Sequence, residues 1–206
     1  MGLLSSVEAR FRRRWGWKCL AMTAVVHAAS VPLFLIGFSV FGTAKIIPAV
    51  PFPGILVSLA VVLVLVPFQA AAEEYVFRGL LSQGVGAWLK HPAFAILIPL
   101  FVWGHAYNLV GLLDVGIFAV AMGWITWRTG GLEAAVMAHI VGNLIAFSFE
   151  AFGSKDESAV SLVLDSVVAV VYVLWVNRAA QRDGIERTRA QTRTLEPEPA
   201  PVQMQT

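Results

Sequence analysis

Charge is scarce in this chain. Lys, Arg, Asp and Glu make up 14% of its 206 residues, against 58% hydrophobic, and the mean hydropathy is +0.73. A water-soluble domain of this size needs a charged shell around its core, so the composition points instead to an integral membrane protein. Cysteine is nearly absent. Cys19 stands alone, which excludes an intramolecular disulfide and any cysteine-based metal site. Also missing are a Gly-rich phosphate loop, a heptad run, an internal repeat and an HExxH pair. A net charge of +2 offers no strongly basic surface, and no nucleic-acid partner is expected.

What the chain has in quantity is long apolar runs. A hydrocarbon layer about 30 Å thick takes roughly 20 apolar residues per helix. Six segments fit: 19 to 42, Gly54 through Pro67 to Leu89, 92 to 109, 112 to 127, 131 to 152, and 157 to 177. Between them lie the Pro-rich "IIPAVPFPG" and the turns "KHP" and "RTGG". The expected fold class is therefore all-α, a polytopic bundle of about six transmembrane helices.

Ten of the fifteen Lys and Arg fall outside residues 19 to 177. Positive residues beside spans stay cytoplasmic, so both termini are expected inside, which agrees with an even number of crossings. Three regions follow: a basic cytoplasmic N-terminus over 1–18, a helical domain over 19–177, and a basic, then Pro-rich, disordered tail over 178–206. The N-terminus has the order of a signal sequence, but its apolar part is too long and reads as a retained anchor.

A few polar residues interrupt the greasy segments: His27, Glu73, Glu74, Arg78, His105, Asn108, His139, Asn143 and Asp165. Ionisable groups inside a membrane are functional candidates when they face the bundle interior; otherwise they act as hydrogen-bonding glue between helices. For the isolated His27 and Asp165 the glue reading is the simpler one. The others are spaced in pairs. In "EEYVFR", Glu74 and Arg78 are four apart in the order that favours an ion pair. Glu73 lies about 100° round the helix, so it can point elsewhere and remain available. In "HIVGN", His139 and Asn143 share a face, as do Phe101 and His105 in "FVWGH".

These faces can meet. Glu73 is seventeen residues before Lys90 and His105 fifteen after it. A hairpin folded at "KHP" brings both to roughly the same depth at about 1.5 Å per residue. Asn143 is thirteen residues past Gly130, roughly 20 Å from the same side. One polar cluster of Glu73, His105, His139 and Asn143 is expected. The segment from Gly54 to Leu89 is too long for one straight crossing, and Pro67 is the natural place for a kink.

The three motifs "EEYVFRG", "FVWGH" and "HIVGN", in this order on successive apolar segments, resemble those of the CPBP family of intramembrane proteases. That family includes the Rce1-type CAAX prenyl endopeptidases and their bacterial relatives. The resemblance implies that Glu73 activates a water molecule with His105 helping to hold it. It also implies that His139 and Asn143 stabilise the oxyanion, and that Glu74 and Arg78 support the site. No metal is favoured, because a Glu-activated water uses Asn143 naturally. A zinc ion held by Glu73, His105 and His139 is the alternative. The expected function is an endopeptidase acting on a membrane-anchored protein or peptide in the lipid bilayer of a bacterial inner membrane. It would serve in protein maturation or sorting. A non-catalytic membrane scaffold and a small proton-coupled transporter are the competing classes.

Overall fold

Lipid offers backbone amides no partner but one another, so long apolar runs close their hydrogen bonds as helices. The computed structural model describes residues 2–41, 51–89, 91, 93, 107–152, 158–185 and 187–188. Among these the fold is helical, with no β-strand beyond one isolated bridge, Ser6 to Gly131. A single turn, α1 (Gly2–Ser5), leads into α2 (Arg13–Phe41) and α3 (Phe52–Glu74). A π-helical segment (Tyr75–Leu81) joins α3 to α4 (Ser82–Trp88). Then come α5 (Leu109–Thr129), α6 (Glu133–Ala151) and α7 (Ala159–Arg182).

Five helical runs among the described residues are long and apolar enough to cross a bilayer: Arg13–Phe41, Phe52–Trp88, Leu109–Thr129, Glu133–Ala151 and Ala159–Arg182. The protein is an integral membrane protein with an all-α fold. The five runs correspond to the first, second, fourth, fifth and sixth expected segments. The third, 92 to 109, lies almost wholly outside the described residues, and so does the "IIPAVPFPG" connection except for its last residues.

The second run passes through Pro67 without ending. Its 37 residues extend for about 55 Å at 1.5 Å each, well beyond the roughly 30 Å hydrocarbon layer. A run of this length must tilt or project at its ends. The first run begins at Arg13, six residues before the apolar segment expected from 19. The reason is that its buried face continues: Trp15 and Cys19 both sit in the core while Arg13, Arg14 and Lys18 stay exposed.

The core forms where α2, α5, α6 and α7 converge, around Trp15, Met22, Met122, Ile125, Ala134, Ala135, Ala138, Tyr172 and Val176. The alanines on α6 are small enough for neighbouring helices to close on it, and packing of that kind drives association where the solvent is itself apolar. Tyr172 donates its hydroxyl hydrogen to the Ala134 carbonyl at 2.8 Å, so the large polar ring is buried with its hydroxyl satisfied.

The N-terminal residues are folded onto one end of this bundle. Val7 N–H donates to the Gly130 carbonyl at 2.8 Å and Leu132 N–H to the Ser5 carbonyl at 2.9 Å. Arg12 is buried and grips Glu133 with two side-chain hydrogen bonds of 2.9 and 2.7 Å. Its backbone N–H adds a third bond at 2.8 Å. The "RTGG" turn makes the fit possible. Gly130 caps α5 in the left-handed region with φ of 62°. A Cβ at Gly131 would run into Arg12 Nη2 and Glu133 Oε2, so a larger residue here would force the pair to shift.

Candidate active site

Glu73 and Glu74 end α3, on a helix that packs against α6. Being adjacent, they point in different directions and meet different surroundings. Glu74 is fully buried and its Oε1 accepts from Arg78 Nη1 at 2.8 Å. The same oxygen accepts from His139 Nδ1 at 2.7 Å. Arg78 is anchored further by a 3.2 Å bond from Nη2 to the Ala119 carbonyl on α5. One carboxylate thus neutralises a buried guanidinium and orients an imidazole, tying α3, the π-helical segment and α6 together.

Glu73 keeps about a third of its side chain exposed, at 34%. It accepts a hydrogen bond from Gln69 Nε2 one turn earlier. Its Oε2 lies 3.6 Å from His139 Nε2, too far for a direct hydrogen bond and close enough for one small molecule to touch both. Asn143 Nδ2 donates to Gln69 Oε1 at 3.3 Å. Gln69 therefore links the acid on α3 to the amide on α6. His139 is pinned edge-on by Phe118, ring centroids 5.3 Å apart.

The hydrogen bond to Glu74 assigns the histidine's roles. A carboxylate accepts, so Nδ1 carries the hydrogen. Nε2, facing Glu73, is then an acceptor in the neutral ring and a donor in the imidazolium. A carboxylate bonded to an imidazole in this way holds the ring in one orientation and one tautomer.

These groups open into a cavity of about 580 Å³ bounded by α2, α3, α5, α6 and α7. Glu73, Gln69, Arg78, His139 and Asn143 line it, and so do His27, Asp114 and Asp165. The wall is mainly apolar, and these polar side chains form a hydrophilic patch on it where water could be held. The π-helical turn directly after Glu74 is a local widening of a kind often found at functional sites. Ser82 secures its end, with both its N–H and its hydroxyl directed at the Phe77 carbonyl.

The structure brings together five of the six motif residues: Glu73, Glu74, Arg78, His139 and Asn143. His105 lies outside the described residues. Asn108 has a separate task, accepting from Gly111 N–H at 3.0 Å to cap α5. His27 and Asp165, read from sequence as isolated glue, both face the cavity. Gln69 and Asp114 were not singled out. Gln69 had a usable signal, since it precedes Glu73 by one helical turn. Asp114 carried the same signal as Asp165, an acid inside an apolar run, but which way it faces depends on how α5 is rotated. Among the described residues no three His, Cys, Asp or Glu side chains are grouped as a metal site. Glu73 Oε2 and His139 Nε2 are nonetheless spaced so that they could share an ion, and with His105 they would make up the zinc set.

Residues 53–145 match the Type II CAAX prenyl endopeptidase Rce1-like family. The matched stretch runs from the start of α3 to two residues past Asn143, so it holds all three motifs. The match covers a little under half of the chain. A Bacillus subtilis (strain 168) protein described as "Uncharacterized protein YyaK" is 36% identical over an alignment of 100 residues that covers 44% of this chain. The alignment spans only about a third, 33%, of that relative's length. No solved structure matches the chain.

Proposed function

We propose that this protein is an intramembrane endopeptidase that hydrolyses a peptide bond in a membrane-anchored protein through a water activated by Glu73. The observation that carries the proposal is the division between the two adjacent acids. Glu74 is committed to Arg78 and His139, while Glu73 stands half-buried at the cavity with His139 Nε2 3.6 Å away. Glu73 takes a proton from water as the oxygen attacks the substrate carbonyl, and later delivers that proton to the leaving amine. Asn143 and His139 donate hydrogen bonds to the oxyanion that forms. With Nδ1 already donating to Glu74, His139 does this as the imidazolium. His105 would help to hold the water.

The helical unit over 19–177 is the catalytic domain in this proposal. The basic flanks support a topology with both termini in the cytoplasm of a bacterium whose inner membrane would hold the protein. Protein maturation or sorting is the process it would serve. The chemistry needs no metal. The alternative is that zinc, held by Glu73, His105 and His139, supplies the activated water. Its supporting observation is the Glu74–His139 bond, a common outer-sphere partner for a metal-ligating imidazole. Metal analysis of purified active protein separates the two: one tightly held zinc per chain, required for activity, supports the alternative. The protease reading itself is tested by mapping protein termini in membranes of a deletion strain and its parent. Termini that vanish on deletion and return with the wild-type gene but not with Glu73→Gln support it. A non-catalytic scaffold would restore them with either gene.

A further inference from the structure

We infer that His27 is a substrate-contacting residue, presenting a hydrogen-bond acceptor to the backbone N–H of the bound peptide in the cavity that Glu73 and His139 also line. The inference deepens the protease proposal and rests on it. His27 lies on α2, outside the family-matched stretch 53–145 and outside all three motifs.

Its ring is oriented by its own helix. Nδ1 lies 2.8 Å from the Thr23 carbonyl and 3.1 Å from the Thr23 hydroxyl. A carbonyl oxygen can only accept, so the ring hydrogen is on Nδ1. Nε2 of the neutral ring then carries a lone pair. That nitrogen is aimed at α6: a Cβ placed on Gly142 would lie 3.8 Å from it. Gly142 immediately precedes Asn143 and follows His139 by three positions, and His27 lines the same cavity as both.

The chemistry gives the lone pair a use. The motif residues supply donors for the carbonyl side of a peptide bond. A peptide entering a cavity within the membrane also brings N–H groups, and each is costly to leave without an acceptor. Two other acids on the cavity wall, Asp114 and Asp165, share a hydrogen bond with each other. His27 offers a neutral acceptor on the wall facing α6, and it does so without bringing a charge into the bilayer.

The two ring nitrogens can be tested separately. In His27→Asn the amide reaches the Nδ1 position, keeping the Thr23 bond and losing the acceptor in the cavity. In His27→Gln the amide reaches the Nε2 position, keeping an acceptor in the cavity and giving up the Thr23 bond. A synthetic peptide spanning a cleavage site found by terminus mapping is assayed with each variant in liposomes. Glu73→Gln is the inactive control. His27→Asn is expected to raise KM about ten-fold with kcat little changed, because an acceptor used equally before and during reaction affects binding alone. His27→Gln is expected to recover most of that loss. If Gln is as impaired as Asn or worse, or if the loss falls on kcat alone, the ring serves only to hold α2 together and the assignment is overturned. If wild type and Glu73→Gln produce the same termini, the protease proposal fails and the His27 assignment fails with it. Because the readout is the order of two variants of similar size, a modest loss of stability common to both leaves it intact.

Discussion

The two bonds converging on Glu74 Oε1 set the strongest energetic prediction. Oε1 accepts from both Arg78 and His139, while Oε2 is buried with no hydrogen-bond partner among the described residues. Glu74→Gln can keep an oxygen in the Oε1 position and both contacts; it removes the charge and sets an NH2 group where the partnerless Oε2 lies. Charge-assisted bonds are roughly twice as strong as neutral ones, so two bonds lose about 2–3 kcal/mol between them. Arg78 is also left as a buried cation whose other hydrogen bond among the described residues goes to the Ala119 carbonyl. Breaking a buried pair from one side costs about 3–5 kcal/mol, and a loss of about 3 kcal/mol is expected for Glu74→Gln. Arg78→Met should cost a similar amount, since it strands the acid with the imidazole. The double variant removes both charges and should lose about 2 kcal/mol less than the sum of the singles. The assay is unfolding in mixed micelles titrated with sodium dodecyl sulfate, followed by circular dichroism. Additivity to within about 0.5 kcal/mol would refute a shared buried charge pair.

Three further outcomes are expected. Gly131→Ala should be destabilising by about 3 kcal/mol, read in the same unfolding assay. Its methyl group would occupy the space of the Arg12–Glu133 pair, and near-wild-type stability would show that the N-terminal segment does not hold this turn. Asn143→Ala should lower kcat on an identified substrate by about 10²–10³-fold, the usual cost of one oxyanion donor. A change confined to KM would instead make Asn143 a binding residue. Exhaustive dialysis against a zinc chelator should leave cleavage unchanged, and loss of activity restored by zinc alone would favour the metal-dependent alternative.

What could be read from the sequence depended on how local the cause was. The Glu74–Arg78 pair and the shared face of His139 and Asn143 follow from helical spacing within a few residues, and comparing depths was enough to bring α3 and α6 together. The apolar runs gave the membrane class and five of the spans directly. Other features have causes distant in sequence. Arg12 reads as one of several basic flanking residues, yet its partner Glu133 is 121 positions away. Nothing in "YVFRGLL" distinguishes a π-helical turn from an ordinary one, because its neighbours Leu4 and Leu132, packed on Gly79, come from elsewhere in the chain. His27 and Asp165 looked isolated because helix rotation alone decides that both face the cavity. The His105 face remains an expectation from the motif, beyond the described residues.

The role of Glu73 in activating water is tested most directly by terminus mapping of membranes from the deletion strain complemented with wild-type or Glu73→Gln protein. Gln has nearly the same shape and can keep the contact with Gln69, so folding and membrane insertion should be unaffected. Processed termini are expected with wild type, and a loss of at least about 10²-fold with Glu73→Gln, the scale of a general base. Equal processing by both proteins would contradict that role.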